Sequence, residues 1–460
     1  MTGPAAASSR GDERRNPSLF APVERLVSKL PHALRSAVGT ICSFETILVM
    51  FLFAGVYKGD PRFAWLPFDI TAAFFALSVL TGAFLLWNNG FVLVRYSAHV
   101  LWLYGAFTAW ALITLAWTPG HDYAQDKALF LCTLVFWPLA AGALIIAPHP
   151  VRWRRFFLVL LLFSGWIALE SLLYFAINTL AGTRFAFVHA LSGTYLSLGR
   201  VIGPGLLVIT AVVLFVRTRW WLRLLLATLA VGYLGVLMVL GGRTPLVAAV
   251  LSGCILLFGL RPRLGRTPMQ LLGQFILVVI GIAALGALVG YLAGTDLHEL
   301  PASLKRLMLL FEGTIPANRR FEHYALTFIH LDNNPWLGQG LGSWPVVVGI
   351  GDYRAYPHNI LLEIWFELGL VGLALFSALT ALALAALGPL RRLRTSPYAL
   401  LALALFVNAL LNAMVSGDLN DNRPVFAMLG LLLLAGPAYA EQAAARSEPA
   451  AAPQSASNSR

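Results

Sequence analysis

The chain has 460 residues, of which 58% are hydrophobic and 12% charged, with a formal net charge of +12 and a mean hydropathy of +0.75. Apolar runs of about 20 residues, the length that crosses a hydrocarbon core roughly 30 Å thick, recur from residue 38 to residue 440, which excludes a soluble globular protein. The arginines sit in short loops between those runs and not on one soluble face, so the positive charge reports membrane topology and excludes nucleic acid as a partner.

The runs are continuous, as in "FILVVIGIAALGALVGYLAG", and lack the alternating polarity of a closed β-barrel. The fold class expected is an all-α polytopic membrane protein. Residues 1–37 are polar and basic, without the short apolar core and cleavage site of a removable signal, and read as a cytosolic basic tail. Nine spans are predicted within residues 38–294, near 38–57, 68–87, 98–117, 128–147, 156–179, 200–216, 222–240, 245–260 and 270–294. Residues 295–357 form one large outer loop, partly helical, because "ELPASLKRLMLLFE" and "ANRRFEHYALTFIHLDN" carry helical apolar spacing before the turn-rich "NPWLGQGLGSWP". Spans 10 to 12 follow within residues 358–440, near 358–390, 398–415 and 424–440, and residues 441–460, rich in Ala, Ser and Pro, read as a disordered cytosolic tail. The basic loops "VRWRR", "RTRWWLR", "RPRLGR" and "RRLR" face the cytoplasm by the positive-inside rule, which gives about twelve spans with both termini inside.

Within the spans, Glu45 and Glu170 are the main ionisable residues expected near the membrane midplane. Cys42, Cys132 and Cys254 all fall in apolar runs and read as small buried hydrophobes. "GQGLGS" at 338–343 follows a proline turn, not a strand, and is no dinucleotide loop. "DLNDNR" at 418–423 begins like a calcium loop, but Arg423 replaces the required glycine and Leu429 the bidentate Glu, so no metal is expected.

Six arginines, Arg184, Arg200, Arg243, Arg319, Arg320 and Arg354, fall on the outer side, where the charge rule disfavours them. Each alone reads equally as a side chain snorkelling to lipid headgroups; several on one face form a seat for a phosphate-bearing anion. His358 and Asn359 stand directly before a long apolar run. The histidine either accepts and releases a proton there or merely helps start the helix, and Asn359 either orients the ring or caps the helix. His323 and His330, seven apart, read as packing residues.

The stretch "NRRFEHYALTFIHLDNNPWLGQGLGSW", followed by "HNILLEIWFELGLVG", resembles the signature of the O-antigen ligase and polymerase superfamily. The matching positions are Arg320, Tyr324, Pro335, Gly338, Gly340, His358, Asn359, Glu367, Gly369 and Gly372, and "GGRTP" adds Arg243 and Thr244. Tyr324 stands where Trp is usual, and Gly242 where Ser is usual before the arginine. The resemblance implies a glycosyltransferase of the bacterial inner membrane that works on the periplasmic face without cofactor. It would pass glycan from undecaprenyl diphosphate to a lipid A-core sugar hydroxyl, among membrane lipids. It also implies roles: His358 as base for the acceptor hydroxyl, Arg243 and Arg320 on the diphosphate, and Arg200, Arg319, Arg184, Tyr324 and Asn359 as substrate-binding candidates. Direct attack would invert the anomeric centre. A polymerase that extends a carrier-linked chain is the near alternative, and a transporter of an anionic substrate is the alternative of another class.

Overall fold

The computed structural model describes residues 39–94, 96–180, 188–257, 319–389, 393 and 396–434. Residues 39–43 belong to a separate N-terminal unit, and the unit that starts at Phe44 is the one described below. Among the described residues all regular structure is helical: α1 (Phe44–Leu52), α2 (Ile70–Asn89), α3 (Ser97–Ile113), α4 (Asp122–Ile146), α5 (Pro150–Leu180), α6 (Tyr195–Phe215), α7 (Trp220–Val239), α8 (Arg243–Leu257), α9 (Arg319–Leu331), α10 (Trp344–Val347), α11 (Ile360–Ala386), α12 (Pro397–Ala413) and α13 (Arg423–Leu431). Seven of them, α2 to α7 and α11, are long and apolar enough to cross a membrane, and α8 and α12 are shorter apolar helices. The chain is a polytopic membrane protein. Leu77, Leu80, Phe84 and Trp87 on α2 point outward and exposed, as side chains facing lipid do.

Sequence signals set the helix starts. Asp69 caps α2 by accepting from the Ala72 amide at 2.9 Å, Ser396 caps α12, and Thr194 caps α6. The expected ninth span at 270–294, residues 295–318 of the outer loop and the two tails, 1–37 and 441–460, lie outside the described residues. The fourth span, expected from 128, begins instead at Asp122. Asp122, Asp126 and Lys127 lower the local hydropathy, yet Lys127 is wholly buried among acidic partners, so the helix includes it.

Helix α6 packs between α5, α7 and α8, while α3 lies along α11. Helix α4 loosens to wider, i to i+5 pairing at Leu131–Val135 and again at Ala141–Ile146. In the second of these, a Cβ on Gly142 would stand 2.7 Å from the Ala427 carbonyl oxygen, so only glycine lets α4 and α13 approach this closely.

Helix α11 is interrupted at Gly369, whose φ of 66° and ψ of −171° no helix contains. The break should orphan the carbonyls of Phe366 and Glu367 and the amides of Leu370 and Val371, an arrangement lipid does not tolerate. A turn at residues 335–340 replaces what was lost: the amides of Gln339 and Gly340 donate to the Phe366 and Glu367 carbonyls, each at 2.9 Å. In return Leu370 and Val371 donate to the carbonyls of Pro335 and Trp336 at 2.9 and 3.3 Å. The Trp110 indole donates to the Leu368 carbonyl at 2.8 Å. A Cβ on Gly369 would lie 2.2 Å from the Trp336 oxygen, and one on Gly338 2.3 Å from the Glu367 oxygen. The Pro335, Gly338 and Gly369 spacing thus serves a backbone splice that fixes the N-terminal part of α11.

Candidate active site

Asn359 caps α11: its Oδ1 accepts from the amides of Leu361 at 3.0 Å and Leu362 at 3.2 Å. His358, one residue earlier, takes a left-handed backbone with φ of 61°. For a residue with a Cβ that conformation costs on the order of 1–3 kcal/mol, and such strain clusters at functional sites. The imidazole is half-buried. It lies parallel to the His323 ring, with centroids 5.3 Å apart and 11° between planes, and edge-on to Tyr356 at 4.6 Å. Its Nδ1 is buried with no hydrogen-bond partner among the described residues. Burial first, then the nearby Arg320 and His323, push its pKa down to about 4.

Arg320 and His323 come from α9, on which residues 320, 323, 324 and 327 share one face by helical spacing. Thr327 anchors that face: it is buried, its Oγ1 donates to the His323 carbonyl at 2.6 Å, and it accepts from the Trp344 indole at 2.8 Å. Tyr324 donates to the Met414 carbonyl at 3.3 Å, tying α9 to the loop between α12 and α13.

That loop holds arginines. Arg200, near the start of α6, donates to Asn422 Oδ1. Arg354 donates through Nε to Asp418 Oδ2 at 2.9 Å and through Nη2 to Asp421. Its guanidinium also stands 5.8 Å from the centre of the Tyr356 ring. Burial opposes ionisation of Asp418, but Arg354 and Lys127 outweigh it and hold the carboxyl below the usual range. Arg243 is the first residue of α8 and half-buried. Pro245 packs where a Cβ on Gly199 would lie, so Arg243 and Arg200 lie near the starts of neighbouring helices at the same end. Arg319 begins α9, but its side chain lies outside the described residues, as does Arg184 altogether. Among the expected site residues the structure therefore gathers His358, Asn359, Arg320, Tyr324 and Arg200 around α9, the start of α11 and the 414–422 loop.

Below them lies a cluster that the sequence reading missed. Lys127 on α4, Glu363 and Glu367 on α11, and Asp418 are each at most 1% exposed. Lys127 Nζ donates to Glu363 and, at 2.7 and 2.8 Å, to both oxygens of Glu367. Glu367 also accepts from the Gly342 amide at 2.9 Å, Glu363 from Leu419 at 3.1 Å, and Asp418 from the Tyr123 hydroxyl at 3.2 Å. One buried cation thereby locks α4, α11, the outer turn and the 414–422 loop to one another. Glu45 and Glu170, the main ionisable residues expected within the spans, are paired with Arg152 and Arg62, at 3.2 and 3.0 Å. The available signal was two glutamates four apart in a hydrophobic helix, facing a lone lysine at the head of another.

Arg354, Asp418 and Asp421 also line a cavity of about 620 Å³, of which Asp126, Asn420 and Arg423 form further walls. Chemically, the assembly presents a weakly basic imidazole whose Nδ1 is unpartnered among the described residues, close to Arg320, at the start of a long apolar helix.

Residues 230–377 match the family model described as O-antigen ligase. The chain is also 27% identical over 335 residues to the O-antigen ligase of Pseudomonas aeruginosa, an alignment that covers 69% of this chain and 72% of that protein. The matched segment contains Arg243, Arg320, His323, the splice turn, His358 and both buried glutamates.

Proposed function

We propose that this chain, which matches the O-antigen ligase family model over residues 230–377, is a glycosyltransferase that moves an O-antigen glycan from undecaprenyl diphosphate to a sugar hydroxyl of lipid A-core. The observation that carries the reading is His358, held at the mouth of α11 with Arg320 near enough to depress its basicity. The acceptor oxygen attacks the anomeric carbon of the donor while the bond from that carbon to the diphosphate oxygen breaks. The bonding pair leaves with the diphosphate, and the hydroxyl proton passes to His358. Arg320 and Arg243 stabilise the negative charge that grows on the departing diphosphate, with Arg200 and Arg319 as further contacts, so neither a metal ion nor a general acid is needed. Attack opposite the leaving group inverts the anomeric configuration.

The same reading assigns Tyr324 and Asn359 to the substrate wall, Asn359 indirectly, through the cap that aims His358. It includes Arg184 among the anion contacts. It places the protein in the bacterial inner membrane with about twelve spans. Residues 1–37 and 441–460 are then cytoplasmic tails, residues 38–294 and 358–440 the membrane bodies, and residues 295–357 a periplasmic cap.

The test is glycan transfer by purified protein, with an undecaprenyl-diphosphate-linked donor and lipid A-core acceptor, without ATP and with EDTA, for wild type and His358→Ala. Transfer by wild type and its loss in a folded variant is the expected result. Elongation only when carrier-linked units replace lipid A-core would make the protein a polymerase, and a retained anomeric configuration would rule out direct attack.

A further inference from the structure

The proposed reaction gives His323 no task, yet the structure sets it against the base. The two imidazoles lie parallel, 5.3 Å apart and 11° from coplanar orientation. The His323 ring packs against Trp344, and its own Nδ1 is buried without a partner among the described residues. The Trp344 ring lies 5.0 Å away and is fully buried, and Trp344 and the His323 carbonyl share Thr327 Oγ1 as a hydrogen-bonding hub.

Among the described residues, His358 has few other restraints. A catalytic imidazole is ordinarily oriented by a hydrogen bond at the ring nitrogen that does not react. Here Nδ1 of His358 is buried without such a partner among the described residues. Arg320 is close enough to act on the ring electrostatically but gives it no acceptor. What remains to set the ring plane is the flat face of His323 on one side and the edge contact with Tyr356 at 70°.

We propose that His323 is a positioning residue whose parallel ring fixes the plane in which His358 meets the acceptor hydroxyl. The inference rests on the reading of His358 as the base. His323 takes no proton from substrate; it acts by removing a rotational freedom, and a misplacement of about 1 Å at a reacting group costs on the order of 10²-fold in rate.

The experiment uses the full chain in the transfer assay above, comparing wild type with His323→Phe, His323→Leu and His358→Ala. A flat, non-titrating ring should keep kcat within about threefold of wild type, because stacking does not need the nitrogen atoms. Leu has similar bulk but no flat face, and its kcat should fall about 10²-fold with the acceptor KM and the thermal midpoint unchanged. Should the Leu variant fail to fold, His323→Met supplies the same contrast. Full kcat in the non-flat variant, or equal loss in Phe and Leu, overturns the proposal. If His358→Ala itself keeps wild-type kcat, it is the base reading that fails; if it is silent while His323→Leu is fully active, only the role of His323 is lost.

Discussion

Two neighbouring turns at the head of α11 are built on opposite rules. His358 is half-buried, strained at φ of 61°, and left with an unpartnered ring nitrogen among the described residues. One turn on, Glu363 and Glu367 are wholly buried and meet Lys127 and the amides of Leu419 and Gly342. A group meant to exchange a proton with a ligand must keep unspent hydrogen-bonding capacity, whereas a charge that only braces helices must be matched inside the protein. On the proposed reading the first turn is poised, while at the second Lys127 meets both carboxylates and Glu363 Oε2 alone of their four oxygens lacks a partner among the described residues.

The sharpest way to break this contrast is to remove each side in turn. His358→Ala should lower transfer by about 10² to 10⁴ fold, the usual weight of a positioned base, while leaving thermal unfolding in detergent unchanged. A matching loss of unfolding temperature would place the histidine with the braces. Lys127→Met should behave in reverse. It strands two carboxylates in a buried space, and breaking a buried ion pair costs about 3–5 kcal/mol, to be read as lost folded yield and a lowered unfolding midpoint.

A smaller effect tests the poise itself. The base works when neutral, and burial with Arg320 and His323 holds its pKa at about 4 in the free protein. The ratio kcat/KM should therefore stay level as pH falls from 8 to about 5 and decline only below that, whereas an ordinary histidine would already have lost activity near 6.5. The limb seen in kcat should lie higher, because a bound diphosphate favours the imidazolium. An acid limb at 6.5 in kcat/KM would mean a solvated ring. The smallest effect is expected from Asn359→Ala, which removes a cap worth about 1 kcal/mol and should lower the unfolding midpoint slightly while rotating His358 enough to reduce kcat.

Much of the helical layout was readable because hydropathy is a local property. The starts of α6, α7, α12 and α13 fall within a few residues of those expected from composition alone. The early start of α4 was hidden because Lys127 looks like a boundary until its partner Glu363, 236 positions away, is known. The break at Gly369 was equally hidden, since the amides that heal it belong to Gln339 and Gly340. Within the site, His358 stood out by its place before an apolar run and Arg320 through the signature that the segment resembles, and the open question over Asn359 is answered by its two capped amides. His323 was read as packing, and its ring does pack, parallel to that of His358. "DLNDNR", set aside as a failed metal loop, is the segment that holds Arg200 and Arg354. Such pairings are long-range, and no short window of sequence contains both halves.

The splice at Gly369 has a mechanical consequence. Because the turn at residues 335–340 supplies the hydrogen bonds that the helix lacks, residues 360–368, a rod about 13 Å long at 1.5 Å per residue, are joined to that turn across a residue without a side chain. Lys127 clamps the same rod to α4 through Glu363 and Glu367, so the backbone that carries His358 rests on a platform assembled from three distant stretches of the chain.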